Sequence, residues 1–138
     1  MAPVTDILNS RIAEGLLSHD PAQFGAAEAL DGVLARLQAT PKLLWFRRPK
    51  AVRGLYMWGG VGRGKSMLMD VFHEAAPVPS RRVHFHEFMG QVHERLGKAR
   101  ARRDVSDPIP PVAKEFASEA KLLCFDEFQV TQIADATI

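Results

Sequence analysis

Residues Gly59-Gly60-Val61-Gly62-Arg63-Gly64-Lys65-Ser66 constrain this chain more than any other stretch. They follow the pattern of a glycine, four residues and Gly-Lys-Ser, which forms a phosphate-binding loop when a strand precedes it and a helix follows. Leu55-Tyr56-Met57-Trp58, just upstream, is a short apolar and aromatic run suited to a buried strand. Downstream, Met67 to Ala76 is made mostly of good helix formers. Glycines let the backbone curl round an anion, and the loop's N–H groups and the positive end of the helix starting near Gly64 then face phosphate oxygens. In this reading Lys65 reaches the β- and γ-phosphates and the Ser66 hydroxyl is a ligand for Mg²⁺. Arg63 either helps to hold phosphate or faces solvent.

A second signal lies at Leu122-Leu123-Cys124-Phe125-Asp126-Glu127. An apolar run ending in two acids reads as a buried strand with carboxylates at its C-terminal end, the edge at which open α/β sheets bind ligands. Alone the pattern is common; after a phosphate loop it completes a hydrolysis site. Asp126 is placed to hold Mg²⁺ through bound waters, and Glu127 to orient or deprotonate an attacking water.

The remaining pattern supplies the scaffold. Residues 5 to about 18 have apolar positions near helical spacing, with Thr5 or Asp6 as cap. Asp20-Pro21-Ala22-Gln23 looks like a capping-box start to a helix running to about Gln38. Arg82 to His86 alternates as a second strand, and a helix is expected from about Glu87 to Arg103. Asp107 to Pro111 breaks the chain before a short helix, Val112 to about Ala120, and Lys121 to Phe125 forms the third strand. Strands alternating with helices predict an α/β fold with a parallel sheet and flanking helices. Residues 1–52 form a helical lead-in, and residues 53–138 the N-terminal part of a nucleotide-binding domain. The chain stops at Ile138 without a helix stop signal, which reads as a fragment.

Composition narrows the class. Hydrophobic residues make up 46% and charged residues 25%, and the net charge of +2 demands no nucleic-acid or membrane partner. Cys124 is the one cysteine, so no internal disulfide or multi-cysteine metal site exists; its apolar neighbours suggest a small buried hydrophobe. No apolar run approaches the roughly 20 residues that span a bilayer. The N-terminus is neither a secretory signal nor an Arg-rich presequence, so the cytoplasm is expected.

Several weaker features admit two readings. His84 and His86 would share a face of a buried strand, at metal-pair spacing but with no third ligand beyond Glu87. A structural role is the plainer reading, and a contact from His86 or Glu87 to Glu127, switching the catalytic acid, is the functional alternative. Asp20 and Gln23 either cap a helix or border an adenine. Arg47, Arg48 and Lys50, and Lys98 to Arg103, read first as solvated faces and second as a nucleic-acid surface. Trp45 and Phe46 read as core or hinge residues.

Taken together, the blocks Arg53–Asp70, Arg82–Met89 and Leu123–Thr131, with Asp20–Gln23, resemble the cell division protein ZapE family, the AFG-like branch of AAA+ ATPases. The block His84-Phe85-His86-Glu87-Phe88 is more specific than the glycine loop alone. The resemblance covers residues 20–138 and implies a P-loop AAA+ fold, with ATP bound by Gly59 to Ser66. It further implies Mg²⁺ at Ser66 and Asp126, and hydrolysis served by Lys65 and Glu127. It implies association with the division-ring protein FtsZ in bacteria, and a homo-oligomer at full length. Ser66 stands where the family usually has Thr, an equivalent hydroxyl, and Gln132 where it usually has Asp. A complete member is more than twice as long. The chain would then lack the sensor residues, arginine finger and helical lid, and the strand between the glycine-loop strand and the acidic strand. On that expectation residues 1–138 alone fold poorly and hydrolyse little. A helicase-loader type of DNA-linked ATPase and a nucleotide-binding fragment without hydrolysis are the competing functions.

Overall fold

A computed structural model describes residues 3–39, 52–58, 64–102 and 106–126. The chain divides into two compact units, Met1–Pro77 and Val78–Ile138.

The first unit packs three helices against one another: α1 (Val4–Ala13), α2 (Pro21–Ala39) and α3 (Lys65–Ala75). Their apolar stripes meet in a core of Val4, Leu8, Ala27, Leu30, Val33, Leu34, Leu68, Val71 and Phe72. Helix α1 is shorter than the sequence pattern suggests, because Gly15 takes a left-handed conformation (φ 74°). The Gly15 N–H donates to Ile12 O and the Leu16 N–H to Arg11 O, a Schellman closure that stops the helix and leaves Leu16 exposed. The start of α1 also differs from expectation. Neither Thr5 nor Asp6 caps it. Asp31, on α2, accepts from the backbone N–H groups of Val4 and Thr5 and from the Thr5 hydroxyl (2.6 Å). The cap is therefore a tertiary contact, which ties α1 to α2 while satisfying donors that a helix start leaves open. Asp20 does cap α2 as expected, its Oδ1 accepting from the Ala22 N–H at 2.9 Å.

Residues 52–58 are described but form no strand, contrary to the expectation for Leu55–Trp58. A strand needs a neighbour to receive its N–H and C=O groups, and the first unit contains no other strand among the described residues. Leu55, Tyr56 and Trp58 are exposed as a result.

The second unit runs β1 (Ser80–His84), α4 (Phe85–Ala101), α5 (Ile109–Glu119) and β2 (Leu122–Asp126). The two strands pair in parallel, with Arg82 opposite Cys124 and His84 opposite Asp126. This bears out a parallel α/β arrangement, as a two-stranded sheet. The second strand ends earlier than alternation suggests: Phe85 and His86 already belong to α4. Packing explains the early start. Phe85, Met89, Val92, Leu96 and Ala99 recur at steps of four and three, and a helix beginning at Phe85 puts all five into one core with Val112 and Phe116. Phe88 and Phe125 close that core, their ring centroids 4.7 Å apart.

Helix α5 also begins earlier than expected, at Ile109. Pro110 and Pro111 fall in its first turn, where backbone N–H groups have no helical acceptor and proline costs little. Asp107 receives the Ile109 N–H at 3.0 Å. Arg95 of α4 fastens the two helices. Its guanidinium lies 4.0 Å from the centroid of the Phe116 ring and 2.7 Å from Glu119 Oε1, with Glu115 at 3.7 Å. Arg81 adds a bond to Gln91 and a 3.7 Å ion pair to Glu119.

Candidate functional site

The end of the glycine loop is where the first unit concentrates its polar chemistry. Gly64 sits at φ 72°, ψ 21° and serves as N-cap of α3; Lys65 is the first helical residue. The left-handed turn is what lets the chain pass from loop to helix in one step, and it suits glycine. Lys65 is half-buried and Ser66 exposed, so both side chains stand at the helix end where unpaired N–H groups and the dipole favour an anion. Gly59, Gly60, Val61, Gly62 and Arg63 lie outside the described residues.

Lys65 lines a cavity of about 390 Å³, within the roughly 300–1,000 Å³ range of small-molecule sites. Its walls come from three segments: Ala22, Gln23 and Ala26 of α2, Tyr56 and Trp58 of the segment before the loop, and Lys65 with Leu68 of α3. The alanines keep the α2 face shallow. Gln23 closes one side, and its amide is pressed against the loop end: a Cβ built on Gly64 would come 2.6 Å from Gln23 Nε2. Gly64 is thus favoured by its backbone angle, and a Cβ there would displace the flexible end of the Gln23 side chain. Of the residues singled out from the sequence, Gln23, Gly64 and Lys65 are brought together here.

The acidic strand end belongs to the second unit. Asp126 closes β2 with its side chain 22% exposed, and Arg82 Nη2 lies 3.0 Å from its Oδ2. In a parallel pair with Arg82 opposite Cys124, Arg82 and Asp126 fall on one face, offset by two residues along β2. Cys124 is buried as expected, and burial pushes its thiol up to about 11, with Arg82 pulling weakly the other way. Glu127 lies outside the described residues, as do Gln132, Trp45, Phe46, Arg47, Arg48, Lys50 and Arg103.

One expectation is corrected here. His84 and His86 do not share the face of a buried strand: one ends β1, the other lies in the first turn of α4, and both are exposed. Glu87 is exposed beside them. A metal pair on a strand face is therefore lost, and among the described residues no group of three or more His, Cys, Asp or Glu side chains could hold a metal ion. A dedicated metal cage is not what Mg²⁺ needs, however. It keeps several waters and takes one or two protein oxygens plus substrate phosphates. An exposed hydroxyl at Ser66 and a partly exposed carboxylate at Asp126 are hard oxygen donors of that kind. Of the basic run on α4, Lys98 pairs with Glu94 one turn earlier at 3.1 Å, and Arg100 and Arg102 are exposed.

Arg82 and the alanine face of α2 are the parts of the site that motif reading missed. The partner of Arg82 depends on strand register, which no local pattern fixes.

The family model described as AFG1-like ATPase matches residues 1–138. The cell division protein ZapE of Escherichia coli K12 is 44% identical over 117 residues, which cover 81% of this chain and 29% of that protein. Lactation elevated protein 1 homolog B of Danio rerio is 45% identical over 100 residues, covering 66% of this chain and 20% of that protein. The chain thus spans less than a third of the length of these relatives. No solved structure matches it.

Proposed function

Since the chain belongs to the AFG1-like ATPase family, we propose that its glycine loop and acidic strand end are the two halves of a Mg²⁺-dependent ATP-hydrolysing site. The observation that carries this reading is the placement of Lys65. It opens α3 directly after a left-handed Gly64 and lines the same cavity as Gln23.

The parts divide the work by chemistry. Residues Gly59 to Ser66 wrap the phosphates, with Lys65 at the β- and γ-phosphates and the helix end of α3 facing the same charge. The adenine occupies the cavity, against the alanines of α2, with Gln23 as its polar contact. Ser66 and Asp126 would hold Mg²⁺, which would neutralise the charge that develops on the phosphates. Glu127 orients the attacking water and accepts its proton. His86 or Glu87, exposed at the start of α4, supplies the polar contact that switches Glu127.

The Escherichia coli relative is a cell division protein, and we place this chain in the same process, acting in the cytoplasm on FtsZ or a comparable protein partner as an oligomer. No described helix is long and apolar enough to cross a membrane. A nucleotide titration tests the site. Lys65→Ala should lose nucleotide binding, whereas Glu127→Gln should bind ATP and stall. Unimpaired hydrolysis by Glu127→Gln would remove the assignment of the catalytic acid. Failure of Lys65→Ala to weaken binding would remove the assignment of the loop.

A further inference from the structure

Asp126 does not meet solvent alone. Arg82 donates to it at 3.0 Å from the neighbouring strand, and the two side chains are only 19% and 22% exposed. Partial burial matters, because a pair shielded from water and salt is screened less than one at the surface. The pairing is fixed by the sheet: β1 and β2 run parallel in a register that places both residues on one face. A guanidinium stays charged throughout the range in which proteins work.

We propose that Arg82 is a built-in counter-cation for Asp126, a positioning residue that sets the Mg²⁺ concentration at which the nucleotide site fills. The proposal rests on Asp126 being the carboxylate of the Mg²⁺ site, as read above. A carboxylate serving hydrated Mg²⁺ gives its lone pairs to the ion's waters. Arg82 competes for those lone pairs and adds a positive charge beside a divalent ion. It thereby orients Asp126 while opposing premature metal binding. Occupation then requires metal and nucleotide phosphates together, since the phosphates supply the extra negative charge that outweighs Arg82.

The competition has a sign that damage to the fold would not imitate. Mant-ADP binding to the full chain, followed over a Mg²⁺ series, gives the half-saturating Mg²⁺ concentration. Arg82→Gln should lower that concentration by at least about threefold, the lower bound for one unit charge a few ångströms away at the dielectric of water, while leaving mant-ADP affinity in EDTA unchanged. Arg82→Lys, which keeps the charge, should stay near the parent chain. An unchanged or raised Mg²⁺ requirement in Arg82→Gln overturns the proposal. The unsubstituted chain offers a second reading that needs no neutral variant. The Arg82 Nε–H resonance, identified by its loss in Arg82→Lys, should move when Mg²⁺ and ADP are added together, and an unmoved resonance overturns the proposal equally. Asp126→Asn separates the two layers. If it raises the Mg²⁺ requirement while Arg82→Gln leaves that requirement unchanged, the counter-cation idea alone fails. If Asp126→Asn leaves Mg²⁺ dependence intact, the Mg²⁺ assignment and this inference fail together.

Discussion

Gly64 is the position at which one atom decides the most. Its φ of 72° is a conformation that costs an L-residue roughly 1–2 kcal/mol. A new Cβ would also meet Gln23 Nε2 at 2.6 Å, so that side chain must move as well. Gly64→Ala should therefore lower stability by at least the backbone cost and weaken nucleotide binding more than stability alone explains, because the amide that moves lines the cavity. The double variant Gln23→Ala with Gly64→Ala separates the two contributions. Removing Gln23 should recover the steric part of the loss and none of the backbone part. Denaturant melts of the two single variants and the pair, read as a double-mutant cycle, check this; strict additivity would show that Gln23 and Gly64 do not press on each other. Asp126 stands in the opposite condition, with a charged partner already in place. Each residue was visible in its motif, but what it touches was not: Gln23 is distant from Gly64 in sequence, and Arg82 from Asp126.

Among the elements, the pair α4 and α5 is held by apolar packing and by one strongly placed cation. Arg95 lies over Phe116 and reaches Glu119 at 2.7 Å. The hydrogen bond from Arg95 is the largest influence on Glu119 and holds its carboxyl below the usual 4.5, while Glu119 in turn raises Arg95. A depressed carboxyl binds its proton less readily in the folded chain than in the unfolded one. The stabilisation is thus fully present above the ordinary carboxylate value and is lost as the pH falls through the depressed one. Glu119→Gln should melt at a lower temperature than the parent at neutral pH, and the gap should close on acidification below the ordinary value. Thermal melts across that range test it, and a gap that persists undiminished in acid would show that the charge on Glu119 is not what fastens α5. Because the site is well exposed, the gap should be small and should shrink in high salt. Element identity was the most legible level in the sequence. The stripe along α4 and the apolar run of β2 announced themselves by spacing. Boundaries were less so, since they depend on what a residue packs against. Phe85 reads as strand by alternation and becomes helix because its ring completes a core with Phe116 and Phe125. Helix α1 ends at a left-handed Gly15 whose Glu-Gly-Leu signal was present but outweighed by the apolar positions beyond it. Its cap, Asp31, is set by the packing of α1 on α2 and has no local signature.

For the molecule as a whole, the segment before the glycine loop has the largest consequence. Leu55-Tyr56-Met57-Trp58 has the composition of a buried strand, yet Leu55, Tyr56 and Trp58 are 44%, 67% and 83% exposed. Large apolar side chains are exposed side by side there, a patch of the kind that associates with another chain. The sequence made the composition of this segment plain, whereas its pairing depends on strands that no described part of the first unit provides. The chain should therefore self-associate through residues 52–58 as concentration rises, and Trp58→Lys should suppress this. A charge in an exposed apolar patch opposes association without disturbing a packed core, so Trp58→Lys should leave the melting temperature of the dispersed chain nearly unchanged. Sedimentation over a concentration series, beside melts at low concentration, distinguishes the outcomes. Association that persists undiminished in Trp58→Lys would place the adhesive surface elsewhere. A large loss of stability on that substitution would show that Trp58 is packed rather than exposed. If Mg²⁺ and ADP reduce association in the parent chain, the cavity lined by Tyr56 and Trp58 and the adhesive segment are one surface, and filling the site shields it.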